Sequence, residues 1–176
     1  MADTGWLDDL ALERLELVLE QAERDRDALD ADENVSGPSA AEYRTRVAHA
    51  ARFTGRVVNT PRAARRLLEQ ADPNIHHGEG MTCVWRKETA LCRKAKLDAG
   101  LPAAEAPDES ECRTACQNLA YTDRDVTTLR SRAQSLDAAA ADTLAPHPIR
   151  TRYVAQAEQL HQIISRHDTE NPMDKL

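Results

Sequence analysis

The sequence predicts a mainly α protein, in which a helical bundle or helical hairpins surround a central irregular segment. Only six of the 176 residues are aromatic, so the core must be built from Leu, Val, Ile and Ala, the usual material of paired helices. Apolar residues recur at helical spacing on both sides of Met81–Tyr121, which contains all four cysteines. We therefore expect helical regions at 1–75 and 122–168, a cysteine-rich region at 76–121 between them, and a tail at 169–176.

The first predicted helix runs from Trp6 to about Leu29. Apolar residues recur along it at spacings of three, four and seven, and its outward face is almost wholly charged. The apolar stripe consists of Leu12, Leu15, Leu19, Ala22 and Leu29. Asp, Asn, Ser, Gly and Pro crowd into 30–38, which predicts a loop that ends the helix.

Two arginine-rich helices are predicted next. Ser39 and Glu42 have the spacing of a capping box, which starts a helix that runs to about Val58. Thr60 and Pro61 are an N-cap and a first-turn proline, so a third helix begins at once and ends near residue 71. Five arginines surround this joint: Arg52, Arg56, Arg62, Arg65 and Arg66.

The charges in the first half of the chain leave two interpretations of these arginines. Residues 1–38 carry twelve acids and three bases, whereas residues 39–71 carry two acids and seven arginines. The helix pair could be a helix-turn-helix that lies on DNA phosphates. Alternatively, the arginines form ion pairs with the acidic first helix.

A helical hairpin is predicted after the cysteines. Thr122 and Asp125 have capping-box spacing, and the helix behind them should end near Thr143. Two prolines at 145–148 make a short connection to a fifth helix that ends near His167. Apolar stripes on the first, fourth and fifth helices could serve self-association or a helical partner, or they could simply pack within one bundle.

The four cysteines predict a metal site. In a reducing compartment, four thiols within 34 residues are more typical of metal binding than of disulfides. Cys83 lies in a predicted extended segment, Cys92 in a helix, and Cys112 and Cys116 on one face of a helix start. We expect the region at 76–121 to be a metal-binding module in which the four thiolates hold one Zn²⁺.

Other ligands and another metal stay open. His76 and His77 lie close enough in sequence to replace one cysteine. Four cysteines can also hold an iron-sulfur cluster, which would indicate redox sensing or electron transfer. Basic residues beside the cysteines could offset the thiolate charge or contact DNA. They are Arg86, Lys87, Arg93, Lys94, Lys96 and Arg113.

Residues 73–125 resemble a known cysteine module. The run from Thr82 to Cys92, followed by Cys112-Arg-Thr-Ala-Cys116 and Gln-Asn-Leu-Ala-Tyr-Thr-Asp123, looks like a module of actinobacterial proteins encoded with, or forming the tail of, tyrosine-type integrases of mobile elements. The resemblance implies metal binding by the four cysteines and an accessory role near DNA recombination. The chain lacks the recombinase set of Arg, His-x-x-Arg and Tyr in recognisable context, so it is not itself the recombinase.

The sequence favours a binding protein over an enzyme. It has no glycine-rich phosphate loop, no Gly-x-Ser-x-Gly motif and no His-Glu-x-x-His motif, and we identify no general base, cleft or small-molecule substrate. No apolar stretch approaches the length of a membrane span. We expect a cytoplasmic, non-catalytic, zinc-binding accessory or interaction protein, with an iron-sulfur protein and a helix-turn-helix DNA-binding protein as the alternatives.

Overall fold

A computed structural model describes residues 5–103 and 105–170, with side chains from Leu10 onward. Two compact units make up this part of the chain. The helical unit is formed by the described parts of Met1–Glu33 and Ala41–Ile75, and the sheet unit by those of Asn34–Ala40 and His76–Leu176. None of the helices in the described ranges is long and apolar enough to cross a membrane.

The predicted mainly α fold around a metal-binding cysteine module is wrong. The described residues form six α-helices and also a four-stranded sheet, whose known pairings are antiparallel. Cys83 lies in a strand of that sheet and Cys92 in a helix, so this region is not the irregular module that the sequence predicted. Within residues 5–103 and 105–170, no three His, Cys, Asp or Glu side chains are grouped so that they could hold a metal ion.

The helical unit is built on the pairing of two helices. Helix α1 spans Gly5–Asp30, α2 spans Ala40–Ala50 and runs into a 3-10 turn at Ala51–Phe53, and α3 spans Pro61–Ala71. Buried side chains of α1 and α3 form one core: Ala11, Leu15, Ala64, Leu67 and Ala71. The start of α3 is as predicted, because the Thr60 side chain accepts a hydrogen bond from the backbone of Ala63 and proline occupies the first turn.

Helix α2 ends earlier than predicted. It stops at Ala50, eight residues before the expected end at Val58, and an extended connection follows the 3-10 turn. Gly55, with φ of +78°, lies in this connection in a conformation that an L side chain rarely adopts, which ends helical geometry. The capping box of Ser39 and Glu42 stays a prediction, and the Ser39 hydroxyl donates to the carbonyl of Gln117 at 2.7 Å.

The sheet unit contains four short strands in the order β1-β4-β3-β2. They span Val35–Ser36 (β1), Ile75–Gly78 (β2), Met81–Val84 (β3) and Leu119–Thr122 (β4). Strand β4 pairs antiparallel with β1, Val35 opposite Thr122, and with β3, Cys83 opposite Leu119. The central strand β4 is buried along its whole length, so the core of this unit forms around it.

Three helices complete the sheet unit: α4 at Leu91–Asp98, α5 at Asp123–Ala141 and α6 at His147–Glu170. The predicted hairpin of the last two is confirmed, since Asp123 contacts His167 and Asp137 contacts His161 in an antiparallel pairing. The capping box of Thr122 and Asp125 is also confirmed. Val126 and Leu129 of the α5 stripe pack against Leu160, Ile163 and Ile164 of α6, so this part of the stripe is covered within the chain.

A buried histidine ties the end of α6 to the sheet. The Nδ1 atom of His167 lies 2.7 Å from the Ser36 hydroxyl, and its Nε2 atom lies 2.9 Å from Oδ1 of Asp123. The other carboxylate oxygen of Asp123 accepts the backbone N–H of Asn34 at 2.8 Å. Burial raises the pKa of Asp123, but the hydrogen bonds from His167 and Asn34 outweigh it, so the net pKa lies below the ordinary value.

This lowered pKa predicts a pH dependence of stability. A carboxyl group whose pKa is lower in the folded state stabilises the fold above its unfolded pKa, and the contribution is lost as the pH falls. We expect unfolding midpoints in urea to decrease from about pH 5 to about pH 3, and to decrease less in Asp123→Asn. The difference should stay below about 1 kcal/mol because the Asp123 side chain is 46% exposed. Parallel pH profiles for the two proteins would contradict the assignment.

Candidate functional site: a thiol-lined cavity

The four cysteines come from four different local structures of the sheet unit. Cys83 lies on β3 and Cys92 in the first turn of α4. These agree with the predicted extended segment at Cys83 and the predicted helix at Cys92. Cys112 follows a 3-10 turn at Glu109–Glu111, and Cys116 lies in a turn whose N–H donates to the carbonyl of Arg113 at 2.9 Å. The predicted helix start at the last two cysteines is wrong, since β4 begins only three residues after Cys116.

All four cysteine side chains line one cavity. Cys92 and Cys116 are buried, Cys83 and Cys112 are half-buried, and none of the four forms a disulfide within the described ranges. The cavity encloses about 430 Å³ including its mouth, but a water-sized particle can occupy only about 20 Å³ of it. That is room for one water or one ion. Its other lining residues include His76, Met81, Trp85, Asp108, Glu109 and Arg113.

Negative charge in this cavity is costly. Burial raises the pKa of Cys112, and the neighbouring sulfurs of Cys116 and Cys92 raise it further. Burial and the same Cys112 sulfur raise the pKa of Tyr121 to about 12. A metal ion that binds Cys112 would therefore have to displace the proton of its thiol.

An ion pair borders the cavity, since Asp108 is one of its lining residues. Lys96 on α4 is bonded to Asp108, which raises the pKa of the lysine and lowers that of Asp108 to about 2. The Cys92 sulfur also raises the pKa of Lys96, so the lysine charge interacts with the thiol cluster. The ion pair joins α4 to the segment before the 3-10 turn. Arg113 also lines the cavity and is exposed.

The two candidate histidines separate, because successive side chains of a strand point to opposite faces. His76 lines the thiol cavity, whereas the Nδ1 atom of His77 lies 3.1 Å from the hydroxyl of Thr82. The structure thus brings His76 to the four cysteines and places His77 in a different network.

The donor set suits zinc, but its arrangement is not that of a formed metal centre. Four thiols and one imidazole are soft and borderline ligands of the kind that Zn²⁺ prefers. In the described ranges, however, no three of these side chains are close enough together to hold an ion. An ion at this site would therefore require the cavity walls to move inward.

Some of the basic residues beside the cysteines make contacts within the fold. Arg86 donates to the hydroxyl of Ser39 and to the carbonyl of Gln117, both at 3.2 Å. Arg93 forms an ion pair with Glu105 at 3.4 Å. Lys87 and Lys94 are exposed, and a DNA contact by these residues stays a prediction.

The five arginines around the predicted helix joint are all exposed: Arg52, Arg56, Arg62, Arg65 and Arg66. The acidic helix α1 uses its own arginines for ion pairs, such as Arg26 with Glu23 and Asp27. None of Arg52, Arg56, Arg62 and Arg66 forms an ion pair with a carboxylate of the described residues. The expectation that these four pair with α1 is therefore not met.

Sequence reasoning missed the contact of Ser36, His167 and Asp123, whose members are 131 and 44 residues apart. Their residue types are those of a hydrolytic triad, but Ser36 and His167 are each only 2% exposed. A nucleophile must reach its substrate, so this trio serves to fix α6. The signal available in the sequence was only that a histidine falls at the end of a helix.

Comparison with known proteins gives no information about the site. No protein-family model matches the chain, and neither a curated protein nor a solved structure matches it significantly.

Proposed function

We propose that this chain is a non-catalytic accessory protein whose thiol-lined cavity takes up one zinc ion. The observation that carries the proposal is the convergence of Cys83, Cys92, Cys112 and Cys116 on one cavity, although they come from four separate segments. Thiolates are strong ligands of zinc, and binding deprotonates them. The ion would also remove the electrostatic cost that now raises the pKa of Cys112.

An iron-sulfur cluster is the alternative occupant, because four cysteines can hold either group. Metal content and visible absorbance distinguish the two.

Zinc uptake should change the order of the cavity walls. The segment 99–118 between α4 and β4 contributes Cys112 and Cys116 to the wall, and the only regular element among its described residues is the 3-10 turn at Glu109–Glu111. Closing the four thiols around one ion would fix both ends of this segment. Metal binding and local folding are then linked, so each ligand contributes to both.

The accessory part of the proposal rests on one further point. Residues 73–125 resemble the cysteine module of integrase-associated proteins, which supports a role near DNA recombination. We propose no catalytic step.

Metal analysis of four single Cys→Ser variants tests the proposal. We expect the wild-type chain, purified under reducing conditions and incubated with Zn²⁺, to retain about one zinc per chain after desalting. Each serine variant should retain well below half of that and should show greater hydrogen exchange in the segment 99–118.

The adjacent histidines give a matched pair of control variants. His76→Ala changes a residue that lines the cavity, whereas His77→Ala changes its neighbour on the other face of β2. If a serine variant keeps full zinc and His76→Ala loses it, the imidazole replaces that cysteine. A wild-type chain that takes up no zinc would overturn the proposal, and a brown protein that contains iron would select the cluster.

A further inference from the structure

The helical unit carries a basic surface without an acidic neighbour in sequence. No Asp or Glu occurs from Tyr43 to Leu68, and this stretch contains the arginine surface, which we define as Arg52, Arg56, Arg62 and Arg66. All four side chains are exposed, and none forms an ion pair with a described carboxylate. Their charge is therefore available to a partner.

The positions of these arginines lower the stability of α3. Arg62 lies in the first turn, where the helix dipole disfavours a cation, and this turn contains no acidic residue to offset it. Arg66 follows at i+4 on the same face, so the two like charges repel. Stability alone does not explain this arrangement, whereas binding of an anionic partner does.

The connection before α3 adds another positive charge. Arg56 lies over the ring of Phe53, with its guanidinium carbon 5.0 Å from the ring centre, which limits the freedom of the side chain. Arg56 and Arg66 both line a shallow groove between the connection and α3, together with Val57, Val58 and Gln70. Cations on two walls of one groove suit a linear anion that lies along it.

We propose that the arginine surface binds the phosphate backbone of duplex DNA without reading its sequence. Guanidinium groups bind phosphates through two parallel hydrogen bonds, and such contacts fix a duplex without sequence information. The described aromatic side chains of this unit are Tyr43, which is fully buried, and Phe53, which Arg56 covers. Single-stranded partners need aromatic platforms for base stacking, so the duplex is the better match.

The contact is a surface contact and not a helix-turn-helix. Ten residues, 51–60, separate α2 from α3, whereas that motif uses a turn of three or four. The acidic face of α1 belongs to the same unit, but at physiological salt its charges are screened beyond about 8 Å. We therefore expect weak, strongly salt-dependent binding that is independent of zinc.

Fluorescence anisotropy with a labelled duplex of mixed sequence tests this inference. We compare Arg62→Gln/Arg66→Gln with Arg132→Gln/Arg152→Gln, which removes the same charge from exposed positions of α5 and α6. The first double variant should bind about tenfold or more weakly than wild type, and its slope of log affinity against log salt should fall by about two. The control variant should bind like wild type, and a second duplex sequence should give equal affinity.

Three outcomes would overturn the inference. The wild-type chain could fail to bind the duplex at about 50 mM salt, where phosphate contacts are strong. Both double variants could lose affinity equally, which would reflect net charge alone. Polyglutamate could displace the duplex as well as unlabelled duplex does, which would assign the surface to an acidic polypeptide. Circular dichroism of both variants shows whether either has lost helix.

Discussion

Replacing Asp125 by Ala is expected to lower the free energy of unfolding of the sheet unit by about 3 kcal/mol. One carboxylate oxygen of Asp125 accepts hydrogen bonds from the Thr82 hydroxyl at 2.8 Å, the Thr122 N–H at 3.0 Å and the Thr122 hydroxyl at 3.1 Å. Thr82 and Thr122 are 0% and 1% exposed, so no water replaces the lost acceptor. The variant leaves several buried donors without a partner.

This network joins three strands to a helix, which is why its loss should be cooperative. His77 on β2 contacts Thr82 on β3, Thr82 donates to Asp125 on α5, and Thr122 ends β4. Without the carboxylate, Thr82 on β3 no longer bonds to the start of α5. Thr122 also loses the hydrogen bonds that it donates to the helix that it caps.

Urea unfolding of the sheet unit can be followed through Trp85, which is buried at 7% exposure. The chain has two tryptophans, so a Trp6→Phe background leaves Trp85 as the reporter. Asp125→Asn, which keeps an acceptor oxygen, should lose about half as much stability as Asp125→Ala. A cycle with Thr82→Val measures the pairwise term. Equal loss in Asp125→Ala and Asp125→Asn would show that the contacts to Thr82 and Thr122 do not carry the effect.

The long helices could be predicted because their signals are local. Thr122 and Asp125 form the capping box that starts α5. Thr60 as N-cap and Pro61 in the first turn start α3. The end of α2 could not be placed, since the connection at 54–60 has no proline before residue 61 and its apolar residues continue the helical spacing. What stops α2 is a local backbone conformation that includes Gly55.

The sheet could not be predicted because its strands are short and distant. Strand β1 has two residues, within a segment rich in loop-forming residues, and it pairs with β4 more than 80 residues later. Alternation of apolar and polar residues needs about four residues to be visible, and β4 is buried on both faces, which removes the alternation. The pairing energy comes from tertiary contacts that no local window contains.

The candidate site was predictable in its residue types and not in its geometry. Four cysteines in one stretch indicated a common site, and all four do line one cavity. Their backbone contexts depend on β4, so a turn occupies the place of the predicted helix at Cys112 and Cys116. Which of His76 and His77 faces the cavity depends on how β2 is placed in the sheet. That sheet was not predicted from the sequence.

Replacing Leu119 by Ala should be comparably destabilising, by about 2 to 5 kcal/mol, because a fully buried leucine leaves a cavity when it is truncated. Leu119 is 0% exposed on the central strand and packs with Tyr121, Val126 and Leu129. Leu144→Ala is the matched control, since Leu144 is 92% exposed and its truncation should change stability by less than about 0.5 kcal/mol.

The Leu119 variant also tests how the thiol cavity is held. Leu119 lies opposite Cys83 in the β3–β4 pairing and contacts the same core cluster as Cys116. Loosening this pair should expose the buried sulfurs, so Leu119→Ala should react faster than wild type with a thiol reagent, and Leu144→Ala should not. If stability falls while thiol reactivity stays at the wild-type rate, then the cavity does not depend on β3–β4 pairing, and the segment 99–118 must hold its walls.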